Sequence, residues 1–159
     1  MHALRTKRMT QELKRQIGIC LVLAIMVYLL GAILIALLAG PILGLIGKSN
    51  ALLPLDSLLV LITAAGLELN HSLFATLLLL DNRVPFVFAS LASGITIVVG
   101  LYLVLTLSSF GIFGATLVPF VVQLGYNNWK WPMEAMKVFS TSYLELFRLG
   151  TQWPLNPRY

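Results

Sequence analysis

The chain has 159 residues, of which 58% are hydrophobic and 11% are charged, and its formal net charge is +5. Soluble domains are about 45–50% apolar and about 25% charged, so this composition excludes an ordinary soluble domain. The single cysteine also excludes a small disulfide-stabilised fold. The composition indicates an all-α integral membrane protein.

Four apolar runs are long enough to be transmembrane helices. A hydrocarbon layer of roughly 30 Å needs about 20 helical residues, and unpaired strands cannot span lipid. The runs that meet this requirement, with the fourth as the shortest, predict helices over residues 17–39, 57–80, 86–107 and 110–126.

Proline, glycine and polar residues separate these runs. Gly40-Pro41 predicts the end of the first helix, and the apolar linker 40–56 is predicted to lie at the membrane surface. Residues 81–85 (DNRVP) predict a tight turn between the second and third helices. Residues 108–111 separate the third helix from the fourth.

The lysines and arginines predict the orientation of these helices. Ten of the 11 lie in the basic lead 1–16, in the turn 81–85 or after residue 126, whereas Lys48 lies on the opposite side. The positive-inside rule then places both termini in the cytoplasm. Because the basic residues flank apolar runs, the bilayer is the expected partner and nucleic acid is not.

Residues 127–159 are predicted to be a cytoplasmic amphipathic tail. Trp129 and Trp131 fall where the fourth helix is expected to leave the bilayer. Residues 133–149 repeat apolar side chains at helical spacing, with charged side chains on the other face. This pattern favours a helix lying on the inner leaflet over a solvated tail.

The second predicted helix carries polar residues that are costly in lipid. Glu68 lies near its middle, where inserting a charge costs about 2.5–3.5 kcal/mol. His71 follows three residues later on the same face, whereas Asn70 is predicted to point elsewhere, toward Thr63, Gly66 and Phe74. An ionisable group inside a membrane span is a functional hypothesis by default.

Glu68 and His71 have three interpretations. They bind a coupling proton or cation, they contact a polar group of a substrate, or they hold helices together through hydrogen bonds. The first two are favoured, because Asn or Ser would suffice for interhelical bonding. Gln123, one turn after Pro119, is a fourth candidate: it either bonds the carbonyl that the proline leaves free or faces a cavity.

Small residues at four-residue spacing predict where helices approach closely. The spaced sets are Ala32, Ala36 and Gly40, then Ser90 and Gly94, then Gly111 and Ala115. The sequence has no metal-ligand cluster, catalytic triad, phosphate-binding glycine loop or dinucleotide motif. We therefore expect no enzyme, no catalytic residue, no metal and no cofactor.

Three stretches carry a resemblance to a known family. They are Gly40-Pro41 followed by Leu45-Ile46-Gly47, the helix and turn from His71 to Asn82, and the opening FGIFGA at 110–115. Together they resemble the C-terminal four helices of the Wzx-like polysaccharide (O-antigen) flippases of the multidrug/oligosaccharidyl-lipid/polysaccharide exporter superfamily. The likeness covers residues from about 5 to about 130.

The resemblance implies a carrier that moves undecaprenyl-linked sugar units across a bacterial inner membrane. It implies alternating access coupled to an ion gradient, with Glu68 and His71 near the translocation cavity. Family members have many more helices, arranged in two lobes, and this chain corresponds to the end of the second lobe. A partner chain would then supply the missing helices, or the chain would oligomerise, or it would not transport.

Two other functions remain open. One is a small four-helix exporter that works as a homodimer and exchanges protons for a lipophilic cation, although in such exporters the glutamate lies in the first helix. The other is a non-transporting membrane subunit or anchor that docks through residues 133–149.

Overall fold

The computed structural model describes residues 2–48, 53–79 and 87–152, with the backbone alone for residues 2–10. These residues form helices and turns and contain no strand, which confirms the all-helical prediction. The elements, in chain order, are α1 (His2–Leu45), α2 (Leu55–Leu79), α3 (Val87–Leu107), α4 (Gly111–Val122), a π-helical segment (Gln123–Asn127, the π segment), α5 (Asn128–Val138) and α6 (Tyr143–Thr151). The predicted turn 81–85 lies outside the described residues.

Three of the described helices are long and apolar enough to cross a membrane: α1 from Gln11 onward, α2 and α3. Large apolar side chains are exposed along them, including Val27 and Leu37 on α1 and Val98 on α3. A continuous exposed apolar surface of this kind is unfavourable in water. These helices therefore have the features of a membrane protein. Helix α4 has 12 residues and is too short to cross alone.

Helix α1 does not end where the sequence predicted. The prediction was a helix over 17–39 that ends at Gly40-Pro41, but α1 continues through Pro41 to Leu45. A proline removes one backbone donor and bends or weakens a helix, yet it does not always end one. The first part of the predicted surface linker is therefore helical.

The C-terminus of α1 is formed by a glycine six residues further on. Gly47 has a φ of +70°, in the left-handed region that favours glycine. The N–H of Lys48 donates to the carbonyl of Leu43 at 2.8 Å, and that of Gly47 donates to the carbonyl of Gly44 at 3.1 Å. This pair of bonds is a Schellman motif, which satisfies carbonyls that the helix end would leave free.

The chain divides into two compact units, one comprising the chain up to Gly31 with the chain from Met136 onward, the other Ala32–Ala135. In the first unit, α6 packs against α1 at two glycines. A Cβ placed on Gly18 would lie 2.9 Å from the backbone nitrogen of Gly150, so the two backbones are in direct contact. The side chain of Leu146 is buried in the same unit.

Polar contacts hold α6 beside the start of the apolar part of α1. The Nζ of Lys14 donates to Oε1 of Glu145 at 3.2 Å and to the carbonyl of Ser140 at 2.7 Å. The hydrogen bond from Lys14, followed by one from Thr141, holds the pKa of Glu145 below its ordinary value. Burial raises the pKa of Tyr143 to about 12.

The predicted amphipathic helix over 133–149 is two helices. α5 ends at Val138, and α6 begins at Tyr143 after a turn in which Ser140 has a φ of +46°. The Oγ of Ser142 accepts a hydrogen bond from the N–H of Glu145 at 3.2 Å and caps α6. A serine followed three residues later by a glutamate is a helix-start signal, and it overrides the continuous apolar spacing here.

In the second unit, α4 packs against both α2 and α3. The α3–α4 contact depends on glycines that face valines. A Cβ on Gly100 would lie 2.8 Å from Cγ1 of Val118, and one on Gly114 would lie 2.6 Å from Cγ1 of Val104. The pairs alternate in antiparallel order, so each glycine admits the valine of the other helix.

The predicted small-residue sets do not mark this contact. A Cβ on Gly40, Gly94 or Gly111 would meet nothing within 4 Å among the described residues. The spacing rule identifies helices that can approach closely, but it does not tell which face another helix covers.

Candidate functional site

Helix α2 places Glu68 close to its own midpoint. At about 1.5 Å per residue, Glu68 lies about 20 Å from Leu55 and about 16 Å from Leu79 along the helix axis. The residues around it in α2 are mainly Leu, Ala, Ile and Val, which favour a helix in an apolar setting. Glu68 is therefore one residue from the midpoint of α2.

The Glu68 carboxylate has partners on both oxygens. The side-chain Nε2 of Gln123, in the π segment, donates to Oε2. On the other oxygen, His71 Nε2 lies 3.6 Å from Oε1, and the hydroxyl of Ser72 donates to Oε1 at 3.4 Å. His71 is well buried, with 14% of its side chain exposed, whereas 52% of the Glu68 side chain is exposed. One face of the carboxylate thus remains open.

Asn70 belongs to the same group of polar side chains. Its Nδ2 donates to Oδ1 of Asn128 at 2.7 Å, and Nδ2 of Asn128 donates to the backbone carbonyl of Gln123 at 2.9 Å. The sequence separated Asn70 from Glu68 and His71 and pointed it toward other residues of its own helix. The structure instead connects all four predicted site residues through the π segment and Asn128, which sequence reasoning missed.

The π segment explains how Gln123 and Asn128 both reach α2. A π turn inserts an extra residue, shifts the helical register and leaves carbonyls to be satisfied by other donors. Here the carbonyl of Leu124 accepts a hydrogen bond from the indole Nε1 of Trp129 at 2.9 Å, and Nδ2 of Asn128 donates to the carbonyl of Gln123. The segment begins one turn after Pro119, where the sequence predicted a kink.

Two roles were predicted for Gln123: bonding a carbonyl that Pro119 leaves free, or facing a cavity. The structure shows a different contact. The side-chain donor of Gln123 goes to Glu68 on another helix, not to a carbonyl that Pro119 leaves free. Gln123 is 8% exposed. The sequence identified the residue, but its partner depends on the π turn that follows the proline.

The polar contacts extend to α3. Nδ2 of Asn127 donates to the hydroxyl of Ser93 at 3.1 Å, and Oδ1 of Asn127 accepts from the indole Nε1 of Trp131 at 3.1 Å. Trp131, which follows the predicted end of the fourth helix, is 3% exposed, and its ring meets Tyr126 edge-on at 6.1 Å. The adjacent Asn127 and Asn128, directly after an apolar run, are the sequence signal for this part of the network.

Two buried atoms beside Glu68 have unused hydrogen-bonding capacity. Oε1 of Gln123 and Nδ1 of His71 find no hydrogen-bond partner among the described residues. A buried polar atom left in this state costs about 1–3 kcal/mol, so the arrangement favours a group that would bond to it. A carboxylate, an imidazole and an amide oxygen together can accept a proton, a cation or a polar group that donates hydrogen bonds.

A cavity of about 290 Å³ opens beside this cluster. Its lining combines the polar residues of α2 with small side chains and one tryptophan: Glu68, His71, Ser72, Ala75, Thr76, Leu79, Ser90 and Trp131. Water or a small cation can be accommodated there, since the cavity has room and several polar partners.

The described residues contain no group of three or more His, Cys, Asp or Glu side chains that could hold a metal ion. Comparison with protein-family models, curated proteins and solved structures found no match to this chain. The function therefore has to be argued from the chemistry of the site.

Proposed function

We propose that this chain is part of a membrane transporter and that Glu68, His71 and Gln123 bind its coupling proton or cation. The observation that carries the proposal is the half-exposed carboxylate of Glu68 at the middle of an apolar helix, beside a polar cavity. An ionisable side chain in such a position is costly and is typical of ion and proton pathways.

The chemistry around Glu68 supports binding over a purely structural role. A network that only holds helices together is most stable when every member is satisfied. Asn70 and Asn128 have this character, since Asn128 both accepts from Asn70 and donates to a backbone carbonyl. Around Glu68, by contrast, Gln123 Oε1 and His71 Nδ1 are buried and have no hydrogen-bond partner among the described residues.

The membrane arrangement in this proposal has four crossings with both termini in the cytoplasm of a bacterial cell, in its inner membrane. Helices α1, α2 and α3 are long and apolar enough to cross. The continuous helical run from Gly111 to Val138 supports a fourth crossing, because the π segment joins α4 to α5 without a loop. In this arrangement α6 lies at the inner surface.

The substrate in this proposal is an undecaprenyl-linked sugar, moved by alternating access. The resemblance of residues from about 5 to about 130 to Wzx-like flippases supports it, and no enzymatic step is proposed. Four crossings do not enclose a cavity for such a substrate, so a partner chain or further copies of this chain would complete the carrier. The native mass of the purified protein, alone and with a candidate partner chain, tests this part.

The ion-binding role is tested by a pH titration in a bilayer followed by infrared spectroscopy. A protonated carboxyl group has a carbonyl band that disappears when it ionises. Because the chain has six Asp and Glu side chains, the spectra of the wild type and of Glu68→Gln are compared at each pH. Their difference should contain the carbonyl band of one carboxyl group, with unchanged helical amide bands. Addition of the coupling cation at fixed pH should release this proton.

Glu12→Gln is the matched control. Glu12 lies in the basic lead, with Oε2 3.7 Å from an Arg15 nitrogen, and is 51% exposed. Its loss should leave the Glu68 band unchanged. If the wild type and Glu68→Gln give the same titration, Glu68 does not bind the proton.

A second candidate function is a non-transporting membrane subunit. It is favoured by the fully paired part of the network, where Asn127 bonds to both Ser93 and Trp131. This candidate predicts that Glu68→Gln keeps the function of the assembled complex, because glutamine has the same size and keeps one acceptor oxygen for a hydrogen bond between the helices.

A further inference from the structure

A second and larger groove lies between α3 and the helical run from α4 to α5. Its volume is about 860 Å³. Its lining combines small side chains with larger apolar and aromatic ones: Phe88, Ala89, Ala92, Ser93, Thr96, Val121, Val122, Gly125, Tyr126 and Trp131, together with Lys130 and Glu134. Of the residues that line the cavity beside Glu68, only Trp131 is among those that line this groove.

The groove is long and chemically asymmetric. Val121 and Glu134 are separated by about 20 Å of helix, and Phe88 and Thr96 by about 12 Å on α3. Its charged residues, Lys130 and Glu134, both lie at the α5 end, while the α4 end is apolar. This distribution matches a molecule with one polar end and a long apolar chain.

The charged end carries both signs. Nζ of Lys130 lies 3.6 Å from Oε2 of Glu134, and the two side chains are 47% and 32% exposed. Lysine four residues before glutamate is the less favourable order for a helical ion pair, and exposed pairs are weak. Both groups are therefore available to a ligand that offers an anion to Lys130 and a cation to Glu134.

We propose that this groove binds a zwitterionic phospholipid with a primary ammonium headgroup. The phosphate meets Lys130, the ammonium donates hydrogen bonds to Glu134, and an acyl chain lies along Ala89, Ala92 and Gly125. The position of Trp129, which is 60% exposed one residue before Lys130, is consistent with the headgroup level of a bilayer. The inference rests on the proposed membrane insertion but not on ion binding by Glu68.

The charges and hydrogen-bond donors of the headgroup favour this lipid over two related classes. A choline headgroup has no N–H and cannot donate to Glu134, although it carries the same net charge. An anionic glycerol headgroup pairs with Lys130 but places no cation at Glu134. The lysine–glutamate pair thus predicts a preference that a simple basic patch would not show.

The test is native mass spectrometry of the full chain released from bilayers with equal amounts of phosphatidylethanolamine, phosphatidylcholine and phosphatidylglycerol. The wild type should retain one ethanolamine lipid per chain, with a preference of about tenfold or more over the choline lipid. Glu134→Gln should reduce that preference to about equal retention. Lys130→Gln should lower the retention of all three lipids, because each of them carries the phosphate.

Lys137→Gln is the matched control, since Lys137 is on α5 but does not line the groove. It should keep the wild-type preference, as should Glu68→Gln, which separates this inference from the proposed ion site. Equal retention of the three lipids by the wild type would overturn the inference. A lipid-free dimer would also overturn it and would indicate that a second copy of the chain fills the groove.

Discussion

Where α4 faces α3, Gly114 lies beside Val104 and Val118 lies beside Gly100, so each valine packs where the glycine has no side chain. Against α2, the π segment that follows α4 presents the amide of Gln123 to Glu68, and Asn128 meets Asn70. The helical run therefore packs closely on α3 at glycines and valines, with one side-chain hydrogen bond from Asn127 to Ser93, and it meets α2 through several side-chain hydrogen bonds. We therefore expect added volume to destabilise the α3–α4 contact and the loss of a polar side chain to destabilise the contact with α2.

This difference suggests a division of roles in the second unit. Apolar contacts between helices gain little in lipid from the hydrophobic effect, so close packing has to supply the stability of the α3–α4 contact. The α2 contact contains the ionisable group and the atoms with unused hydrogen-bonding capacity. We infer that α3 and α4 form the support and that α2 carries the site.

The largest effect is expected from adding one methyl group to the α3–α4 contact. In Gly114→Ala the new Cβ would lie 2.6 Å from Cγ1 of Val104, on a stiff β-branched side chain. We expect the free energy of unfolding to fall by about 1–3 kcal/mol, as for overpacked cores. Unfolding in mixed micelles measures it.

Gly94→Ala is the matched control for that substitution. A Cβ on Gly94 meets nothing within 4 Å among the described residues. The free energy of unfolding should be unchanged or should rise by up to about 1 kcal/mol through helix propensity. Equal destabilisation by the two variants would show that α3 and α4 do not meet at Gly114.

A smaller effect is expected from the polar contact. Asn128→Ala removes a hydrogen bond from Asn70 and a hydrogen bond to the Gln123 carbonyl. Interhelical hydrogen bonds in membranes average about 0.6 kcal/mol and reach about 1.7 kcal/mol, so we expect a loss of about 1–2 kcal/mol.

A double-mutant cycle with Asn70→Ala isolates the bond between the two asparagines. The coupling energy should be about 0.6 kcal/mol. Fully additive effects would mean that Asn70 and Asn128 do not interact, and the connection between Asn70 and the rest of the site would then be wrong.

The smallest effect concerns pH and the contact between α6 and α1 in the first unit. The folded pKa of Glu145 lies below its ordinary value of 4.5, because Lys14 and then Thr141 donate to it. The ionised carboxylate therefore stabilises the docked helix above about pH 4.5, and this contribution is lost as pH falls through the folded pKa. It is small because 40% of the Glu145 side chain is exposed.

Hydrogen exchange of the α6 amides measures this dependence. In the wild type, the protection of these amides should decrease when the pH is lowered below 4.5. In Lys14→Gln, protection should be lower at neutral pH and should change less when the pH is lowered. Added salt should weaken the wild-type response as well. A response that is unchanged in Lys14→Gln would assign the pH effect to another group.

Apolar length was the most reliable sequence signal. Helices predicted over 57–80 and 86–107 agree closely with α2 (Leu55–Leu79) and α3 (Val87–Leu107), because an apolar run bounded by polar or proline residues leaves few alternatives. The end of α1 was missed because Pro41 was treated as a stop, although Gly47 forms the C-cap.

The site could be predicted in its residues but not in its connections. Glu68 and His71 were identified from the cost of polar groups in lipid, and Gln123 from its position one turn after Pro119. Their pairing depends on the register change in the π segment, which places Asn128 against Asn70 and has no clear sequence signature beyond Pro119. The glycine contacts were missed for a similar reason, since spacing does not reveal which face is covered.

The most direct test of a water-accessible site at the middle of α2 is cysteine labelling in membranes. In a Cys20→Ser background, Ser72→Cys would place a thiol at the cavity beside Glu68, and Val98→Cys would place one on the exposed apolar face of α3. We predict that a charged, water-soluble maleimide reacts with the thiol at position 72 and not with the one at position 98. If neither thiol reacts, the Glu68 cluster is a dry contact between helices and the proposed ion site is wrong.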